Sequence, residues 1–260
     1  MDINQDYTIS LRSEGWEAYG QSIMFYEKER NGDHLLLHDF KDESTLIALV
    51  ADGVTNRPCD WMASEMTCNK FYEYFSNNFS IPIEKRITES IRYANSSLIS
   101  VADKCQGLAN TLTLVVWEYK KEEFLFVNVG DSRLYNISNG KIIQLTKDDS
   151  ITIKKNVSTS YGMRDIKALT NHLGREFPEV MINKGNIKSG DLLILASDGF
   201  YDARKSTFEK DTIGLSSSLN LQSDFIKLLS KYQILPHDDM TAIIIQKTKN
   251  ITDSILNNQR

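Results

Sequence analysis

Apolar positions along the chain follow two periods, and the switches between them lay out the elements. Tyr7-Thr8-Ile9-Ser10-Leu11 alternates with period two, as a half-buried strand does. Ile23-Met24-Phe25-Tyr26 is a short apolar run that reads as a strand. Leu46-Ile47-Ala48-Leu49-Val50 is apolar throughout, the pattern of a strand covered on both faces, and it stops at Ala51-Asp52-Gly53. The period then changes. Cys68, Phe71, Tyr72, Phe75 and Phe79 recur at spacings of three and four, and so do Ile83, Ile87, Ile91, Ala94, Leu98 and Val101. Both stripes predict amphipathic helices. Pro58 suits the first turn of the first helix, and Ile81-Pro82 separates the two.

Strand character returns at 112–117 and 124–129, across the charged turn 118–122. Residues 134–137 and 141–145 flank Ser138-Asn139-Gly140, and Asn-Gly between apolar runs predicts a hairpin. The polar stretch 146–167 reads as a loop with room for a short helix. Residues 192–196 form another fully apolar strand, ending in Ser197-Asp198-Gly199. A helix over 223–233 and a strand over 240–246 follow, then a polar tail over 248–260. Predicted hairpins outnumber strand-helix-strand units, so the sheets should be mostly antiparallel. A single α+β domain over 1–260, with its core at about 7–247, is the simplest account.

Bulk properties narrow the function. A chain of 260 residues can bury roughly 70–75% of its unfolded surface. Its 41% hydrophobic and 25% charged content is ordinary globular usage. The net charge is −5, and Lys120-Lys121 and Lys154-Lys155 are isolated pairs, so no basic face for nucleic acid is expected. No apolar run reaches the ~20 residues that span a bilayer, and no basic-then-apolar leader opens the sequence. Three cysteines, Cys59, Cys68 and Cys105, with no Cys-x-x-Cys pair, read as buried reduced thiols in a cytoplasmic protein.

One local design occurs twice. A buried strand ends in small-Asp-Gly at Ala51-Asp52-Gly53 and at Ser197-Asp198-Gly199, and Asp238-Asp239 enters a third apolar strand. A lone Asp-Gly is ordinarily a turn. Repeated at the ends of rigid strands, it places carboxylates where they can be held, and hard cations such as Mg²⁺ and Mn²⁺ prefer such oxygen ligands. The glycine would let the backbone turn and leave a carbonyl to reach a cation.

These segments resemble the metal-dependent type-2C (PPM) Ser/Thr protein phosphatase family, in particular its bacterial branch. Ala51-Asp52-Gly53-Val54 is similar to the family's metal-bridging segment, and Val127-Asn128-Val129-Gly130-Asp131-Ser132-Arg133 to its most recognisable motif. Gln144-Leu145-Thr146-Lys147-Asp148-Asp149-Ser150, the run from Gly190 to Asp202, and Asp238-Asp239-Met240-Thr241 resemble the motifs that follow, in the family's order. The resemblance implies a four-layer α/β/β/α sandwich with a site at one end. Asp52, Asp198 and Asp238 would hold one Mn²⁺ or Mg²⁺ ion, and Asp52 with the Gly53 carbonyl a second. A water activated by the ions would hydrolyse phosphoserine and phosphothreonine on proteins, opposing a cognate Ser/Thr kinase, with the enzyme a monomer that needs neither nucleic acid nor membrane.

The chain also departs from the family. Asn4-Gln5-Asp6 matches the early acidic segment in letters, but Gly20-Gln21-Ser22 fits its place better, with Ser22 standing for an aspartate. The second ion is therefore expected to bind more weakly. Gln21, Ser22, Asp239 and His237 are candidates to support the site from behind its ligands. Arg12 is the nearest candidate to hold phosphate. Val54, Thr55-Asn56 and Asp149 replace other family residues, and Arg133 reads as a fastener between strands. The alternative function is a weakened member that binds phosphoproteins or regulates.

Overall fold

The computed structural model describes residues 6–54, 59–101, 105, 107–159, 162–233 and 238–248. Pro58, Thr55-Asn56, His237 and the tail beyond 248 lie outside them. The first half of the chain forms β1 (Tyr7–Ser13), β2 (Trp16–Ile23), β3 (Asp33–Phe40), β4 (Thr45–Asp52), α1 (Asp60–Asn77) and α2 (Ile83–Ser100). Next come β5 (Leu112–Glu118), β6 (Glu123–Val129), β7 (Arg133–Ser138), β8 (Lys141–Gln144), β9 (Ser150–Thr159) and β10 (Gly162–Leu169). The last part forms β11 (Asn183–Asn186), β12 (Leu192–Ala196), α3 (Asp198–Tyr201), α4 (Phe208–Leu215), α5 (Leu221–Gln233) and β13 (Met240–Lys247).

Two antiparallel sheets carry the fold. One has the order β1-β2-β13-β12-β7-β8, the other β11-β6-β5-β4-β3. Strand periodicity explains why they stack. Along β12, Leu193 and Leu195 face the other sheet, while Leu192, Ile194 and Ala196 face α4 and α5. Along β4, Leu46, Ala48 and Val50 face the other sheet, and Ile47, Leu49 and Ala51 face α1 and α2. Strands buried on both faces read as continuous apolar runs, which is how these two strands show in the sequence. Three apolar layers result: helices on sheet, sheet on sheet, sheet on helices. This is the expected α/β/β/α sandwich. Among the described residues, no helix is long and apolar enough to cross a membrane.

Several expectations need correction. The second strand is β2, not 23–26; Ile23 is its last residue. Glu17, Gly20 and Gln21 hide its pattern, because the side chains that fill the space over Gly20 come from Leu35 and Ile243 on neighbouring strands. The polar stretch 146–167 is not loop but the hairpin β9–β10. Its Ile151, Ile153 and Ile166 are exposed, so no apolar alternation toward a core marks it. At Asn139-Gly140 the hairpin is as expected, with φ of 52° and 70° at the two positions. The cysteines differ too: Cys59 and Cys105 form a disulfide with their Cα atoms 6.4 Å apart, and Cys68 alone is a free buried thiol. Only packing brings the start of α1 beside the segment after α2, so spacing in sequence could not reveal the pair.

Substituting Leu193→Ala, at 0% exposure between the sheets, should cost about 2–5 kcal/mol of unfolding free energy. Ile143→Ala, on the open face of β8, should change it by less than about 0.5 kcal/mol. Urea denaturation of the two variants checks the contrast.

Candidate metal centre

Both sheets deliver carboxylates to the same end of the sandwich. In the second sheet Asp33 opens β3 directly opposite Asp52 at the end of β4. Asp52 is held through its backbone: its N–H donates to Thr111 Oγ1 at 3.2 Å, and its carbonyl accepts from the Thr111 N–H at 2.8 Å. In the first sheet the Ser197 N–H donates to the Thr241 carbonyl, and the Thr241 N–H donates to Ser197 Oγ, both at 2.9 Å. That exchange sets Asp198, at the start of α3, beside Asp238 and Asp239. Ser197 Oγ also donates to Asp33 Oδ2 at 2.7 Å, a buried bond that ties one sheet to the other at the site.

The two Asp-Gly glycines serve close approach rather than turning. Neither has a positive φ. A methyl group on Gly53 would overlap the Asp60 carbonyl, and one on Gly199 would overlap the Asp239 carbonyl. Each glycine lets a neighbouring loop close against a carboxylate-bearing strand end. The Gly53 N–H donates to the Gly32 carbonyl at 3.0 Å, which docks the loop before β3 onto the strand end.

The carboxylates feel one another strongly. Burial pushes the Asp52 carboxyl well above its ordinary value, and Asp33, Asp198, Asp238 and Asp131 push it further. Burial acts likewise on Asp198, reinforced by Asp238, Asp131, Asp33 and Asp202. Asp33 is raised to about 7 by burial and by Asp239, against the Ser197 hydrogen bond; Asp238 adds to the rise and Lys28 opposes it. Buried like charges of this kind call for a cation, and an all-oxygen donor set suits a hard divalent one. The chemistry of the donors therefore fits Mg²⁺ or Mn²⁺. Among the described residues no three acidic, histidine or cysteine side chains already converge into a closed metal cage.

The structure brings Asp52, Gly53, Asp198, Asp238 and Asp239 together at this end. His237 lies outside the described residues. Ser22 is buried in β2, where its hydroxyl meets Thr241 Oγ1 at 2.6 Å and accepts from Asn31 Nδ2 at 2.8 Å. Gln21 lies on the same strand, with its Oε1 buried and unpartnered among the described residues. Arg12 points elsewhere: its Nε donates to the Tyr19 hydroxyl at 2.6 Å and lies 3.5 Å from Glu17, and its side chain is 61% exposed. Arg133 grips Asp148 through two bonds of 2.9 and 2.7 Å and lies over the Tyr201 ring, as a fastener would.

Three residues escaped the reading of the sequence. Asp33 ends Asn31-Gly32-Asp33, which has the Asn-x-Asp form of Asn4-Gln5-Asp6, and its register with Asp52 places it at the site. Asp131, in the same motif as Arg133, adds its charge to Asp52 and Asp198. Lys28, in the loop between β2 and β3, inserts its ammonium among Asp238, Asp239 and Asp60 at 2.9, 2.5 and 3.5 Å.

Set against known proteins, residues 25–238 match the family model described as Protein phosphatase 2C. The chain belongs to that family. It is 25% identical over 237 residues to the serine/threonine phosphatase stp of Listeria welshimeri, covering 85% of this chain and 91% of that protein. In fold it resembles the crystal structure of the Mycobacterium tuberculosis serine/threonine phosphatase PstP/Ppp, with a TM-score of 0.72 at 18% identity over 90% of this chain and 99% of that one. A second solved structure, the PstP catalytic domain in complex with 2 manganese ions, aligns with a TM-score of 0.70 at 17% identity, again over 90% and 99% of the two chains.

The raised carboxyls set a pH dependence. A group whose folded pKa lies above its unfolded value favours folding at low pH, and that contribution is lost as pH rises through the folded value. Chelator-treated protein should therefore lose stability between about pH 4 and pH 7, the window set by Asp33. Asp33→Asn should flatten the loss, and added Mn²⁺ should reverse it increasingly as pH rises. Thermal melts across that range, with and without Mn²⁺, provide the check.

Proposed function

We propose that this chain is a metal-dependent protein phosphatase that removes phosphate from phosphoserine and phosphothreonine in proteins, with Asp52, Asp198 and Asp238 as its metal-holding residues. One observation carries the reading: in a protein phosphatase 2C chain, both sheets bring mutually repelling carboxylates to one end of the sandwich. When bound, two Mn²⁺ or Mg²⁺ ions would supply an acidified water as nucleophile and neutralise phosphate charge.

The protein's own residues do the rest. Asp52, which would serve both ion positions, is fixed by Thr111, whose hydroxyl in turn meets Ser132 Oγ at 2.7 Å. Asp198 and Asp238 are fixed by the Ser197–Thr241 exchange. Gly53 would offer its carbonyl to the second ion, and Asp33 and Asp131 add negative charge beside Asp52. The weaker second site was expected because Ser22 stands where a carboxylate was sought. Asp33, opposite Asp52 on the adjoining strand, would supply one for the second ion. The same fact removes the motive for a purely binding or regulatory role.

The cysteines agree with a water nucleophile. Cys59 and Cys105 are bonded to each other, and burial pushes the Cys68 thiol well above its ordinary range. None of the three offers the thiolate that covalent catalysis would need. In this reading the enzyme works as a monomer on proteins phosphorylated by a cognate Ser/Thr kinase.

Hydrolysis of a phosphothreonine peptide with Mn²⁺ tests this reading. Asp52→Asn and Asp198→Asn should each lower kcat/KM by more than the 10–100-fold typical of a residue that merely supports a metal ligand. Activity that persists in both variants would refute the assignment.

A further inference from the structure

Lys28 is the basic residue bonded directly to the acidic cluster among the described residues, and the loop around it is built to keep it there. Asp239, 1% exposed, is the anchor. Its Oδ1 accepts the Phe25 N–H and its Oδ2 the Gly32 N–H, each at 2.7 Å, so both ends of the loop fasten to one carboxylate. Between those ends the Lys28 N–H donates to the Phe25 carbonyl at 3.0 Å, and the side chain turns inward. Arg30, two residues on, lies 4.1 Å over the Trp61 ring and closes the loop against the start of α1. The Lys28 side chain is 18% exposed, and its three carboxylate partners match the three donors of an ammonium.

Asp238 is thus shared. One of its oxygens is 2.9 Å from an ammonium while its carboxylate also belongs to the proposed metal centre. A fixed positive charge at that distance repels a divalent ion and occupies lone pairs the ion would use. Asp60, Asp238 and Asp239 would otherwise leave three carboxylates at one edge of the centre, a donor set that suits a further hard cation.

We propose that Lys28 is a tethered counter-ion of the metal centre: its ammonium holds the Asp60–Asp238–Asp239 edge, keeps divalent ions on the Asp52–Asp198 side, and so limits how many the centre takes. Lys28 is a positioning residue in this account, acting through Asp238. The inference rests on the metal-centre reading and adds to it the charge that sets its capacity.

Calorimetric titration with Mn²⁺ of the full chain separates the possibilities. The wild type should take up Mn²⁺ to a fixed stoichiometry. Lys28→Met should take up one further equivalent, or bind its last ion at least tenfold more tightly. Lys28→Arg, which keeps the charge, should restore the wild-type titration, a rescue that a purely structural role for the side chain would not produce. Should the methionine variant fail to fold, Lys28→Gln retains a donor for Asp239 and must show the same gain. Variants that titrate like the wild type, or more weakly, overturn the counter-ion while leaving the metal centre standing. A wild type that takes up no Mn²⁺ overturns both.

Discussion

Crowding of like charge at the end of the sandwich is the constraint around which the rest of the molecule is arranged. Burial makes the ionised forms of Asp33, Asp52 and Asp198 costly, and the charges of Asp131 and Asp238 add to that cost across both sheets. Isolated on loops, such groups would swing apart. Here they sit at strand ends or in tight turns whose backbones are tied by Thr111, Ser197 and Thr241. The apolar layers on both sides of each sheet keep those strands from moving. Hydrophobic burial thus stabilises a charge arrangement that electrostatics alone would disperse.

The bond from Ser197 to Asp33 shows how sparing the construction is. It is buried and joins the two sheets at the site. Gly53 and Gly199 act in the same sense, by letting adjacent loops approach within a methyl group's width. Lys28 then places a cation of the protein's own at the edge where Asp238 and Asp239 would otherwise face each other uncompensated. The resulting centre is asymmetric: one side is open to metal and the other is held by an ammonium.

Much of this was legible in the sequence because some signals are local. Fully apolar strands ending in Asp-Gly announced β4, β12 and their carboxylates, and the spacing of three and four announced α1 and α2. What stayed hidden depends on partners distant along the chain. Asp33 sits in a short Asn-x-Asp run whose importance shows only through its register with Asp52. Lys28 sits in a polar loop, Glu27-Lys28-Glu29-Arg30, that reads as ordinary solvated charge. Ser22 looked like a lost ligand, whereas it closes a buried hydroxyl network with Asn31 and Thr241. The β9–β10 hairpin escaped because both its faces are wet, so burial imposes no period on its sequence. The disulfide escaped because two distant segments meet only when helices pack.

The central claim is that the carboxylates from both sheets form one metal centre. Anomalous diffraction from crystals soaked in Mn²⁺ tests it most directly. The account predicts Mn²⁺ coordinated by Asp52, Asp198 and Asp238, with the Lys28 ammonium still on Asp239. Crystals that bind Mn²⁺ only elsewhere, or that hold these aspartates together without it at saturating concentration, would contradict it.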